Sequence, residues 1–176
     1  MTPFVGIREG ALNADPTQPS EPFIFAELTA ADAADFDLLS DPKDDSATAL
    51  ERFGRGNLCF GIRDGSRLVA KTWCDLEQVT YYYCRRKLDP GEVYLFAAYA
   101  DPAYRGRGLA PMMRSACYAE LRRRGFSRFY SYSEYLNLPA RRFKSKLGAV
   151  EENLKIHCDF HGKWSRTLTF NYFRRP

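Results

Sequence analysis

Asp101-Pro-Ala-Tyr-Arg105-Gly-Arg-Gly108-Leu-Ala110-Pro-Met-Met113 joins two segments whose hydrophobic periods differ. Upstream, Gly91 to Ala100 alternates and is rich in Val, Tyr, Leu and Phe, the pattern of a central strand. Asp101-Pro102 breaks it. Downstream, Leu109, Met112, Met113, Ala116, Cys117 and Leu121 recur at helical spacing, one buried stripe that Gly125 closes. The stretch is therefore a strand-to-helix turn carrying two glycines and two arginines. Glycine lets the backbone turn tightly and aim several N–H groups at one ligand. The helix N-terminus adds unpaired donors and the positive end of a dipole. Such a loop suits a diphosphate. No Gly-Lys-Ser/Thr follows, which excludes a triphosphate P-loop, and no third glycine completes a dinucleotide fingerprint.

Working outward, residues 1–21 hold Pro3, Pro16, Pro19, Gly6 and Gly10 without periodicity and read as an irregular arm before a single domain, 22–176. Phe23–Ala26 reads as a strand. Thr29 caps a helix over Ala30–Leu39, and Asp45 or Ser46 caps a second through Phe53. Leu58–Ile62 and Leu68–Glu77 flank the turn Arg63-Asp64-Gly65-Ser66 as a hairpin. After the helix that starts at Leu109 come a strand over Phe126–Glu134 and a helix opened by Asn137 and Pro139. Strands over Val150–Phe160 and Trp164–Phe173 finish the chain. The order β-α-α-β-β-β-α-β-α-β-β is that of an α/β or α+β domain with a mixed sheet flanked by helices.

Composition narrows the class. In 176 residues, 45% are hydrophobic and 15% aromatic, which excludes a disordered chain. No apolar run reaches the roughly 18 residues of a membrane span, and Met1–Ala11 lacks the features of a secretory leader. Five scattered cysteines suit reduced thiols, so the expected location is cytoplasmic. The first 50 residues carry two cations against ten acids, and the remainder carries 24 against 12. A basic body suits an anionic partner, and the acidic first segment suggests a cationic acceptor. His157-Cys158-x-x-His161 lacks the second ligand pair of a zinc site, so no metal is expected.

Two motifs carry a resemblance. Arg105-Gly-Arg-Gly108-Leu-Ala110, preceded by Pro102 and Tyr104, resembles the R/Q-x-x-G-x-G/A signature of the GNAT superfamily of acyl-CoA-dependent N-acyltransferases. Asn137-Leu-Pro-Ala140-Arg-Arg-Phe143-Lys-Ser-Lys146-Leu-Gly148 resembles that family's N-x-x-A-x-x-[apolar]-Y-x-K-x-G segment. The likeness covers about Leu58–Phe160 and implies a mixed, mostly antiparallel sheet. It implies that acetyl-CoA is the co-substrate, with no metal. The diphosphate would lie on backbone N–H groups of Arg105, Gly106, Arg107, Gly108, Leu109 and Ala110. A bulged central strand at Ala98, Tyr99 and Ala100 would face the pantetheine and the thioester carbonyl, with Asn137, Ala140 and Phe143 beside the pantetheine arm. Lys144 stands where many relatives carry a tyrosine that protonates the leaving thiolate; Tyr99, Tyr104 and Tyr132 are the alternatives.

A base must take a proton from the attacking ammonium. Glu134, ending the strand after the motif helix, is the first candidate, and Glu92, sharing a strand face with Tyr94, the second. The expected reaction is direct acetyl transfer to an unidentified primary amine in a ternary complex. Alternatives are a longer-chain acyltransferase using acyl-CoA or acyl carrier protein, and a non-catalytic acyl-CoA-binding module. A nucleic-acid partner would need Tyr81-Tyr-Tyr-Cys-Arg-Arg-Lys87 and is not expected. A terminal strand leaves an edge through which two copies could pair as a homodimer.

Overall fold

The computed structural model describes residues 1–10, 22–82, 84–160 and 164–171. Its strands are β1 (Thr2–Glu9), β2 (Phe23–Leu28), β3 (Leu58–Asp64), β4 (Arg67–Asp75), β5 (Gln78–Tyr81), β6 (Cys84–Lys87), β7 (Glu92–Ala100), β8 (Arg128–Glu134), β9 (Val150–Phe160) and β10 (Trp164–Asn171). The helices are α1 (Ala34–Leu38), α2 (Ser46–Gly54), α3 (Leu109–Arg123) and α4 (Leu138–Lys146). Eight strands form one sheet in the order β10-β9-β1-β8-β7-β4-β3-β2, and β5–β6 is a separate hairpin. Every pairing is antiparallel except β7 with β8. This is the mixed α/β sheet that the element order implied, and it is mostly antiparallel as the resemblance implied.

The helices cover both faces. Residues of β4 alternate between the two sides except at Val69, an extra residue where the register against β3 shifts. Leu68 and Trp73 pack with Phe36, Leu39 and Ala49 of the α1–α2 layer, while Val69 packs with Leu109 and Met113 of α3. Farther along α3, Cys117, Tyr118 and Leu121 meet Val93, Leu95 and Phe129. The expected first helix is split into a 3-10 turn, Ala30–Asp32, and α1. Asp32 accepts the Thr29 N–H at 2.8 Å, which caps the turn.

One expectation is corrected. The start of the chain is no arm: Thr2–Glu9 is a strand wedged between β8 and β9, antiparallel to both, with Phe4, Val5 and Ile7 in the core. The remainder of that stretch, 11–21, lies outside the described residues. Gly6 belongs in the strand because of crowding. A Cβ there would lie 2.6 Å from Asn153 Oδ1 and 3.1 Å from the Tyr132 ring. A glycine that reads as a breaker is here a close approach. The Tyr81–Lys87 turn is likewise more ordered than expected, since Gln78–Tyr81 pairs with Cys84–Lys87.

The acids of the first fifty residues are largely engaged within the fold. Asp32 and Asp35 hold Arg63, Asp41 and Asp44 hold Lys71, Glu27 holds Arg124, and Asp45 caps α2. Among the described residues these acids form no free acidic face for a cationic acceptor. Among the described residues no helix is long and apolar enough to cross a membrane.

Candidate active site

Strands β7 and β8 pair only from Glu92–Tyr94 to Arg128–Tyr130. Beyond Tyr94 they part, β7 staying with β4 and β8 with β1, so the middle of the sheet opens into a wedge. At the opening β7 is bulged. Phe96 is opposite Trp73 and Tyr99 opposite Lys71, which fits two residues, Ala97 and Ala98, where β4 has only Thr72. Ala97 takes a φ of 46°, a left-handed conformation costly for a residue with a Cβ. A bulge leaves its extra residue outside the ladder, so backbone groups of Ala97–Ala98 face the wedge. Strain held at such a place is typical of functional sites.

The same strand runs into the glycine loop. Asp101 accepts the Ala103 N–H at 2.8 Å and an Arg67 guanidinium hydrogen at 2.7 Å, fixing the 3-10 turn Pro102–Tyr104. Gly106 and Gly108 then take φ of 81° and 75°, and an added Cβ at either would meet nothing within 4 Å. Their conformation, not crowding, demands glycine. Helix α3 starts at Leu109 with Gly108 as its N-cap. Met112 N–H is bonded to Gly108 O and Pro111 has no N–H, so Leu109 and Ala110 supply the first turn's spare donors. An open cleft of about 620 Å³ lies here, between Tyr104, Arg105, Gly106, Gly108, Leu109 and Ala110 on one wall and Pro139, Arg142, Phe143 and Lys146 on the other. Arg107 instead lays its guanidinium over the Tyr104 ring, 5.0 Å from the centroid.

A second cleft, about 370 Å³, occupies the wedge itself and shares Phe143 with the first. Ala97, Ala98, Tyr132, Glu134, Asn137, Ala140 and Phe143 line it, as do Tyr81, Tyr82, Tyr94 and Phe96. Ala100 lines the glycine-loop cleft. Asn137 caps α4, accepting the Ala140 N–H at 3.2 Å. Tyr132 stacks on Tyr81 with centroids 5.1 Å apart. Burial and a bond with Cys84 push its phenol up, so it stays protonated at neutral pH. Glu134 is exposed at the rim.

Other expected residues stand elsewhere. Glu92 lies where β7 and β8 are still paired, accepting from Arg86 at 2.6 Å and from the Asp89 N–H at 3.0 Å, and it lines neither cleft. Six residues of strand place it about 20 Å from Ala98. Tyr99 donates to Ser40 O and Tyr104 to Asp64, which engages both hydroxyls away from the wedge. His157 bonds Thr167, and His161 lies outside the described residues.

Sequence reasoning missed the charges beneath the wedge. Glu9 is buried at 3% exposure and accepts hydrogen bonds from Tyr118 and Ser131, with Arg114 Nε at 3.3 Å and Lys144 Nζ at 3.5 Å. Burial pushes its carboxyl up, but Arg114, Lys144 and the two hydroxyls outweigh this and hold it below the usual value. Lys144, 4% exposed, donates to Ser131 Oγ at 2.8 Å, Ser133 Oγ at 2.9 Å and Tyr132 O at 3.3 Å. Burial, with Arg114 nearby, lowers its ammonium to about 8 despite Glu9. A signal existed. Arg114 is three and four residues before Cys117 and Tyr118, on the buried face of α3, and Glu9 continues the Val5–Ile7 face of β1.

A family model described as "Acetyltransferase (GNAT) family" matches residues 24–149, well over half of the sequence. The chain belongs to the GNAT acetyltransferase family. Among curated protein sequences none matches it. Solved GNAT structures are similar in fold. A GNAT-family acetyltransferase from Novosphingobium aromaticivorans superposes with a TM-score of 0.63 at 22% identity, over 87% of this chain and 61% of that one. One from Colwellia psychrerythraea gives 0.65 at 13% identity, over 98% and 56%. The ribosomal-protein-S18-alanine N-acetyltransferase of Escherichia coli gives 0.56 at 17%, over 78% and 79%. The chain thus spans about three fifths of the Novosphingobium protein's length. Within the GNAT fold, the bulged β7 and the glycine loop line two adjacent clefts that share Phe143.

Proposed function

We propose that this GNAT domain transfers an acetyl group from acetyl-CoA to a primary amine by direct attack within a ternary complex. The observation that carries the reading is the adjacency of the two clefts, which share Phe143 and set an anion cradle beside a strained, bulged strand. Two open left-handed glycines and the spare donors of α3 suit a diphosphate, with Arg105, Arg142 and Lys146 adding positive charge along the cleft. When bound, the coenzyme supplies an activated thioester. The remaining work falls to the protein. Backbone N–H groups at Ala98–Ala100 would donate to the oxygen on which negative charge develops. Glu134, at the rim, would take the ammonium proton, directly or through water. Tyr132, held protonated, would return a proton to the leaving group. The E. coli neighbour's name, an alanine N-acetyltransferase, is consistent with an amine acceptor.

The test is release of free thiol from acetyl-CoA across a panel of primary amines. Turnover is expected with at least one amine and is expected to fall about a hundredfold in Glu134→Gln, the scale of a lost general base. No release with any amine would overturn the proposal.

A further inference from the structure

The wedge is lined by four cations, Lys43, Arg52, Arg114 and Lys144, and by one acid, Glu134. Two of the cations lie beneath its floor. Arg114 is 1% exposed and lines the cleft; its Nε meets Glu9 only as an ion pair at 3.3 Å, and among the described residues its Nη1 has no hydrogen-bond partner. Lys144 lies across Glu9 from it. The cluster therefore holds two cations against one carboxylate, and that carboxylate already accepts from two hydroxyls. A buried charge without a counterion is expensive, and so is a buried donor left unpaired. A bound anion would relieve both.

We propose that Arg114, backed by the positive charge of Lys144, forms a subsite for a carboxylate carried by the substrate. This deepens the acyltransferase reading and rests on it for the identity of the two ligands. A carboxylate would bring the cluster to two cations and two anions and give Arg114 Nη1 the acceptor it lacks. Guanidinium is suited to that partner, being planar, permanently charged and weakly hydrated. Ser131 and Ser133 hold the Lys144 ammonium in place, so the site is preorganised. The carboxylate has two chemical sources: the far end of a dicarboxylic acyl group on the donor, or the acceptor itself, an amino acid. The aromatic walls, Tyr81, Tyr94, Phe96 and Tyr132, suit an apolar body behind that charge.

Calorimetric titration with matched pairs separates the sources. Succinyl-CoA is compared with acetyl-CoA, and phenylalanine with phenylalaninamide, the latter pair titrated into the free protein. One carboxylate-bearing member is expected to bind about tenfold tighter or more than its partner, the worth of a charge-assisted hydrogen bond. Arg114→Met, matched in length and checked for folding by circular dichroism, is expected to erase the preference. Arg114→Lys is expected to keep part of it. Equal binding within both pairs, or a preference that survives Arg114→Met, overturns the subsite. If both thioesters bind and turn over equally and the second pair is also equal, the acyltransferase reading stands while the subsite falls. If neither thioester binds but phenylalanine is preferred over its amide, the reverse holds.

Discussion

Two buried charge clusters flank the central strands, and they are built differently. On the α1–α2 side, fully buried Lys71 sits between Asp41, at 2.8 Å, and Asp44, which also accepts from Arg52 and from the Trp73 indole at 2.6 and 2.7 Å. Two cations face two carboxylates. On the α3 side, Arg114 and Lys144 share one ion-paired carboxylate among the described residues, Glu9. The balanced cluster ties the loop before α2 to β4, a structural task. The unbalanced one lies under the wedge where a ligand is expected. Charge balance, not burial, is what distinguishes the two clusters.

The largest expected effect breaks the balanced side. Asp44→Ala leaves Lys71 with one partner in the core and is expected to cost about 3–5 kcal/mol in chemical denaturation. The unbalanced side is sharpened by pH. Lys144 is lowered to about 8 against 10.5 for an ordinary lysine, with Glu9, Arg114 and Glu151 as the charges acting on it. Between those values the unfolded chain holds a proton that the folded one has released, so this group makes stability rise with pH. Buried Cys59 and Tyr118 and half-buried Tyr132, all raised, pull the other way at higher pH in any variant. The stability difference between wild type and Lys144→Met is therefore the readout. It is expected to shift in favour of wild type by on the order of 2 kcal/mol between about pH 8 and 9.5. The smallest effect falls on Arg114→Met. Removing the excess cation leaves Glu9 paired with Lys144, and stability is expected to stay within about 1 kcal/mol of wild type. A loss as large as that of Asp44→Ala would erase the contrast between the clusters.

The glycine loop was legible because its signal is local. Positive φ at Gly106 and Gly108, a strand before and a helix after are all written within a dozen residues. Asn137 as a helix cap was legible for the same reason. The clusters were not, because Glu9, Arg114 and Lys144 come from β1, α3 and α4 and meet only in the fold. Strand β1 was missed because Gly6 and Pro3 mark breaks in isolation. Crowding by Asn153 and Tyr132, from two other strands, makes glycine fitting there. Glu92 shows a further limit. Alternation reveals which face of a strand a residue occupies, not which end of it lies at the opening.

On this reading the Arg105–Ala110 loop holds an acyl-CoA beside the bulged strand. Calorimetric titration of acetyl-CoA into wild type and Gly108→Val tests it most directly. A β-branched side chain at a φ of 75° is strained whatever the surrounding space. The expected result is saturable one-to-one binding by wild type, weakened about tenfold or more in a variant that still unfolds cooperatively. Equal binding by both proteins, or none by wild type, would contradict it.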